Sequence, residues 1–200
     1  LEALRLLSMD VDVIIVDPEN EYRKLAESVG GEFVEFSVKS QYKINPFDLV
    51  KDSEEPDELQ NKILDLHSLM RVMMGDLTPS QDALLDRALV AVYAQKGITQ
   101  ESSSFKNEAP LLEDLFKVFL GMETAESKEL AGRLEKYVKG SAAGIFNERS
   151  NFDIKNKFTV FGIRDLEENL RPVAMYVVLD YIWNTVRRTR KKRILIVDEA

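Results

Sequence analysis

Two acid-tipped aliphatic runs carry the chemistry this chain can offer. Ile194-Leu195-Ile196-Val197 leads into Asp198-Glu199, and Val13-Ile14-Ile15-Val16 leads into Asp17-Pro18-Glu19-Asn20-Glu21. An aliphatic run without polar alternation suits a strand buried on both faces, as in a parallel sheet covered by helices. Open parallel sheets bind ligands at the carboxyl ends of their strands, so both sets of acids fall where chemistry is done. In the first set, Asp198 is placed to hold Mg²⁺ through its water shell and Glu199 to orient or activate an attacking water. That is the Walker B arrangement of nucleotide hydrolases. In the second set, Asp17, Glu19 and Glu21 are suited to a metal's water shell or to positioning a nucleophilic water. Two plainer readings stand beside these. One is a core strand with two solvated acids; the other is a polar strand-to-helix turn in which Glu21 helps the next helix start.

Other chemistries find little support. Cysteine is absent, so disulfides and thiolate metal sites are excluded, which fits a reducing compartment. His67 is the only histidine and has no second ligand near it in sequence, which leaves a serine nucleophile without a base. A phosphate cradle of the form G-x-x-x-x-G-K-[ST] does not occur. Gly140-Ser141-Ala142-Ala143-Gly144 is followed by Ile145 and Phe146, and reads as a helix terminus and turn. A nucleotide hydrolase would then carry its phosphate loop before Leu1, with residues 1–7 as the tail of the helix that follows it. An end at a buried strand with open sheet beside it reads as a slice of a longer protein.

Positioning these acids takes a sheet and its covering helices. Val11–Asp17 reads as a buried strand stopped by Pro18, Glu21–Val29 as a helix closed by Gly30-Gly31, and Glu32–Phe36 as an alternating strand. Such a βαβ opening favours a parallel sheet with right-handed crossovers. From Asp57 to Lys139 the pattern is helical only. Leu59, Ile63, Leu66, Met70 and Met73 recur at helical spacing, and Thr78-Pro79-Ser80-Gln81 is a capping box with proline at the first helical position. The segment from Ile98 to Ala109 reads as a polar linker. Helices follow from Pro110 and from Thr124 to Gly140, giving an all-α bundle. Strand and helix return with Phe158–Gly162 and Arg171–Val186, before the acid-tipped strand closes the chain. Trp183 falls in that last helix, where it suits the core or a subunit contact. The expected fold class is α/β, with residues 1–50 and 150–200 as the core and 51–149 as an all-α insertion.

Charge narrows the partners. The 200 residues hold 27 Lys/Arg and 35 Asp/Glu, a net charge of −8. That balance disfavours a surface built mainly for nucleic acid. The basic cluster Arg187, Arg188, Arg190, Lys191, Lys192 and Arg193 reads as a solvated helix end favoured by the helix dipole, with a phosphate, DNA or membrane contact as the alternative. No apolar run approaches the ~20 residues of a membrane helix.

Taken in order, Asp17-Pro18-Glu19-Asn20-Glu21-Tyr22, Ile44-Asn45-Pro46-Phe47-Asp48, Gly140–Asn147, Phe158–Gly162 and Ile194–Ala200 resemble the type IV secretion and conjugation ATPases of the VirB-four or TraC-like kind. The resemblance spans essentially the whole chain. It implies a RecA-like P-loop NTPase core of the HerA/FtsK division with an all-α insertion after the second strand. It further implies ATP and Mg²⁺ as cofactors, with Asp198 supporting Mg²⁺ through water, Glu199 as the catalytic glutamate, and Glu21 beside the nucleotide pocket. Asp17 and Glu19 would line the cofactor site, and Arg149 would be a candidate charge across a subunit boundary. The implied setting is a homo-oligomer, often hexameric, at the cytoplasmic face of a bacterial inner membrane. There it would contact other secretion-system components and power pilus assembly and substrate transfer. Turnover would belong to the whole domain, and these 200 residues alone would be inactive. Two rival readings remain: a DNA-translocating HerA/FtsK or coupling-protein-like motor, and a non-catalytic helical interaction module on an α/β scaffold.

Overall fold

The structure is a computed structural model describing residues 2–51, 53, 55–189 and 191–198. Its sheet is all-parallel, in line with the βαβ opening of the sequence. After helix α1 (Glu2–Ser8) come β1 (Asp12–Asp17), α2 (Arg23–Ser28) and β2 (Glu32–Glu35). The helical stretch holds α3 (Glu58–Met74), α4 (Pro79–Gln95), α5 (Leu112–Gly121), α6 (Ala125–Val138) and the short α7 (Ala143–Phe146). β3 (Phe158–Gly162), α8 (Arg171–Arg188) and β4 (Arg193–Val197) complete it. By contact the chain forms two compact units, one of residues 1–44 with 151–200 and one of residues 45–150.

In the first unit the strands lie in the order β2-β3-β1-β4. β1 is central: Val13 to Asp17 pair with Phe158 to Gly162 on one side, and Asp12 to Val16 pair with Arg193 to Val197 on the other. Its six residues are all buried, as an aliphatic run between two partners must be. Alternation along the strands divides the core. Val13, Ile15, Phe158, Val160, Ile194 and Ile196 point to one face and pack with Ala3, Leu6 and Leu7 of α1 and Leu25 and Ala26 of α2. On the opposite side the Phe152 ring lies 5.9 Å from Phe161 of β3 and 6.1 Å from Tyr181 of α8. The Tyr181 hydroxyl donates to the Phe152 carbonyl at 2.5 Å. β4 has its second edge open among the described residues, and Leu195 there is 41% exposed. Trp183 is 62% exposed, so the core reading of that residue does not hold. The buried positions of α8 are Val173, Ala174, Val177, Val178 and Ile182, a stripe that position 183 falls outside.

The second unit is helical throughout. The Thr78 hydroxyl accepts from Gln81 N at 3.3 Å while Gln81 Oε1 accepts from Thr78 N at 3.0 Å, the reciprocal cap the sequence predicts. Two buried tyrosines tie elements together by their hydroxyls: Tyr93 to the Phe47 carbonyl at 2.8 Å and Tyr137 to the Met73 carbonyl at 3.1 Å. Asn45 is equally structural, with Nδ2 donating to the Pro110 carbonyl at 2.8 Å and Oδ1 accepting from Phe47 N. The segment read as a polar linker holds a 3₁₀ turn over Ser102–Lys106 and buries Phe105.

Candidate functional site

Parallel pairing of β1 with β4 brings the two acid tips together. Val16 pairs with Val197, and Asp198 N donates to the Val16 carbonyl at 3.1 Å. Asp17 and Asp198 therefore occupy adjacent positions at the same end of neighbouring strands. Glu199 lies outside the described residues.

Asp17 is 0% exposed. Its two carboxylate oxygens accept backbone N–H groups from the loop that follows, Oδ1 from Glu19 at 3.2 Å and Oδ2 from Tyr22 at 2.8 Å. The carboxylate thus holds residues 18–22 in a tight turn, its oxygens given to the chain itself. The turn passes through Asn20 in the left-handed region at φ 59°, a conformation asparagine tolerates better than most residues. Asn20 Oδ1 is buried without a hydrogen-bond partner and lies over Gly162, the residue that pairs with Asp17 on the β3 side. A Cβ at position 162 would clash with Asn20 Oδ1 and the Phe33 ring, which is why this position carries glycine.

The same turn places Tyr22 where the charges of Asp198 and Asp17 act on its phenol. The phenol is held above its ordinary value of 10.0 first by burial, then by the negative charges of Asp198 and Asp17. Sequence reasoning passed over Tyr22 as a site residue. Its only trace there is its place in the acidic motif, because 176 positions separate it from Asp198.

Glu19 and Glu21 are both exposed. Glu19 faces the loop after β3, with its carboxylate 3.6 Å from Arg171 and its carbonyl accepting from Arg164 at 3.4 Å. Arg171 in turn donates to the Arg164 carbonyl at 2.9 Å, so two guanidinium groups brace this side of the turn. Arg149 is engaged within its own unit, bonding the Ala109 carbonyl and pairing with Glu108 at 3.0 Å. In the basic cluster, Arg193 and Lys191 lie 3.6 and 3.8 Å from the Asp12 carboxylate. His67 has neighbours that its sequence context hid. Asp82 and Asp86 of α4 lie 3.7 and 3.6 Å from its two ring nitrogens.

Residues 3–200 match the profile of the TraG P-loop domain. The chain belongs to that family. A solved structure, VirB4 of Thermoanaerobacter pseudethanolicus, superposes with a TM-score of 0.88 at 26% identity, covering 100% of this chain and 79% of that one. Comparison with curated proteins gives no match. This TraG P-loop domain thus has the RecA-like fold of a VirB4-like ATPase motor of the type IV secretion and conjugation class. Among its described residues no helix is long and apolar enough to cross a membrane.

A P-loop ATPase domain binds nucleotide, and the strand ends can be tested for fit. No group of three His, Cys, Asp or Glu side chains that could cage a metal occurs among the described residues. Mg²⁺ at nucleotide sites asks for less: one or two carboxylates, with waters and substrate phosphates completing the shell. Asp198 is half-buried at a strand's carboxyl end and meets that requirement. Asp17 is buried and committed to two N–H groups, which suits a supporting place behind it.

Proposed function

We propose that this domain binds and hydrolyses ATP with Mg²⁺ and energises a type IV secretion or conjugative transfer apparatus. The observation that carries the reading is the placement of Asp17 and Asp198 side by side at the carboxyl ends of adjacent parallel strands. Mg²⁺ would supply charge neutralisation at the transferred phosphoryl group. Asp198 would hold the ion's water shell, Glu199 would orient the attacking water, and Glu21 would stand beside the nucleotide. Glu19 would line the same site through its arginine contacts. Residues 1–44 with 151–200 form the motor core, and 45–150 the helical insertion.

The domain works as a homo-oligomer, a hexamer in the arrangement its resemblance implies. Its place is the cytoplasmic face of a bacterial inner membrane, peripherally attached and in contact with other secretion components. Nucleic acid is the less favoured load. Lys191 and Arg193 of the basic cluster pair with Asp12. The helical unit, with 19 acidic and 12 basic side chains and a net charge of −7, would repel a phosphate backbone.

The test is Glu199→Gln in the full-length protein. ATP turnover is expected to fall by about 10³-fold or more while ATP affinity changes little, the signature of a group acting only in the transition state. Turnover within about 3-fold of wild type removes Glu199 from the mechanism.

A further inference from the structure

The amino ends of β1 and β4 carry a second charged contact, at the opposite end of the sheet from Asp17 and Asp198. Asp12 and Arg193 are cross-strand partners, and parallel pairing turns their side chains to the same face. Arg193 Nε lies 3.6 Å from the Asp12 carboxylate, and the two side chains are only 6% and 12% exposed. Lys191 also reaches Asp12, at 3.8 Å, but from a side chain open to water. Asp10 pairs with Lys157 ahead of β3, and both of these are exposed. Arg193 with Asp12 is thus the shielded pair at this end of the sheet. As a source of stability it is poor. Arg193 Nε has no hydrogen-bond partner, and taking two charges out of water costs much of what their attraction returns.

What the pair supplies is register. The rest of β4 is Ile194-Leu195-Ile196-Val197, aliphatic on both faces. A one-residue slip exchanges the faces of a strand, and the side-chain pattern penalises it only where those faces differ. Here they do not. Sliding β4 one way sets Ile194 against Asp12 and leaves the carboxylate buried and unpaired. Sliding it the other way draws Arg193 from the carbonyl of Thr189, the cap residue of α8, which its guanidinium meets at 3.0 Å. Either slip carries Asp198 about 3.3 Å from its place beside Asp17. We propose that Arg193, acting through Asp12, is a positioning residue that fixes the register of β4 and so sets Asp198 beside Asp17. The inference rests on the nucleotide reading above and deepens it. Setting register is the best-attested use of a buried polar group, whose replacement by apolar side chains often leaves stability intact.

Replacing both charges therefore separates register from stability. In the full-length protein, Asp12→Leu combined with Arg193→Met is expected to melt close to wild type. Hydrogen exchange then reads the register. Asp198 N donates to the Val16 carbonyl, and Asp12 N to the Lys192 carbonyl. In that pattern the amides of Ile194, Ile196 and Asp198 face β1, and a one-residue slip hands the bonds to Leu195 and Val197. The Asp198 amide is expected to exchange at least about 10-fold faster in the double variant. ATP turnover is expected to fall about 10²-fold, the loss that a displacement of about 1 Å can cause. A pair that merely supports the fold would leave both readings within about 3-fold of wild type in a variant that melts normally, and that result overturns the proposal. Should the double variant fail to fold, Arg193→Lys decides, because it keeps a cation against Asp12. Exchange and turnover within about 3-fold of wild type uphold the pairing, and loss of both in a normally melting Lys variant overturns it. Should the wild-type protein hydrolyse no ATP, the nucleotide reading falls, and exchange at Asp198 alone decides whether the pair sets register.

Discussion

Asp17→Asn separates a loop-holding carboxylate from one that serves the pocket directly. The substitution keeps the shape of a fully buried side chain and removes its charge. In the wild type two N–H groups donate to the carboxylate, one at 2.8 Å and one at 3.2 Å. A hydrogen bond to a charged acceptor contributes about 1.5–3 kcal/mol net, against about 1 kcal/mol for a neutral one. The amide retains one oxygen and sets an NH₂ against the other donor, so one bond weakens and the second is lost. The gross cost is about 3–4 kcal/mol. Removing a buried charge returns part of this as relieved desolvation, leaving about 2 kcal/mol. Urea denaturation should show a lower midpoint at an unchanged slope. Native-state hydrogen exchange should quicken about 30-fold at the Glu19 and Tyr22 amides, the rate equivalent of about 2 kcal/mol. An unshifted midpoint with unchanged exchange at those amides would refute the reasoning and return Asp17 to the set of groups that face the ligand.

Two further outcomes follow from local geometry. Gly162→Ala should cost about 1–3 kcal/mol in thermal denaturation, because the added Cβ must displace Asn20 and the Phe33 ring; a variant as stable as wild type would mean the turn yields freely. Asp114 is pushed up by burial, but the Leu111 N–H and the Lys96 ammonium outweigh that, and its carboxyl titrates below the ordinary 3.8. A depressed folded value stabilises the protein above the unfolded value, and this contribution is lost as pH falls through the folded one. Asp114→Asn should therefore lower stability at neutral pH, with the gap to wild type closing below about pH 4 in pH-dependent melts.

β1 was legible because burial on both faces leaves no polar alternation; β4 carries the same aliphatic run although its residues are only partly buried. The helix start at Thr78 was legible because its cap is built from side chains three residues apart. What escaped notice depends on residues far apart in sequence or isolated within it. Phe105 stands alone among serines and charges, so no periodicity marks it, yet it is 2% exposed. For Trp183 the core alternative fails, because Val173, Val177 and Ile182 define a stripe that excludes it. Asp17 was recognised as an acid at a strand's end, but a carboxylate aimed at ligand and one aimed at its own loop have the same sequence. That the charge of Asp198 reaches the Tyr22 phenol is purely a matter of tertiary pairing.

Asn151 has a consequence for how the chain comes together. Its side chain accepts from Lys43 N at 2.8 Å and donates to the Gln41 carbonyl at 2.8 Å, and its own N–H donates to the Lys43 carbonyl. The chain leaves the sheet unit and re-enters it at this one clasp, with residues 45–150 in between. Pairing of β2 with β3 must therefore close a very long loop. The entropy of doing so rises only with the logarithm of length, and a helical segment rich in local contacts forms fast. Because the clasp pins both ends regardless of what lies between them, the intervening segment is a site where length and sequence can change while strand register is kept.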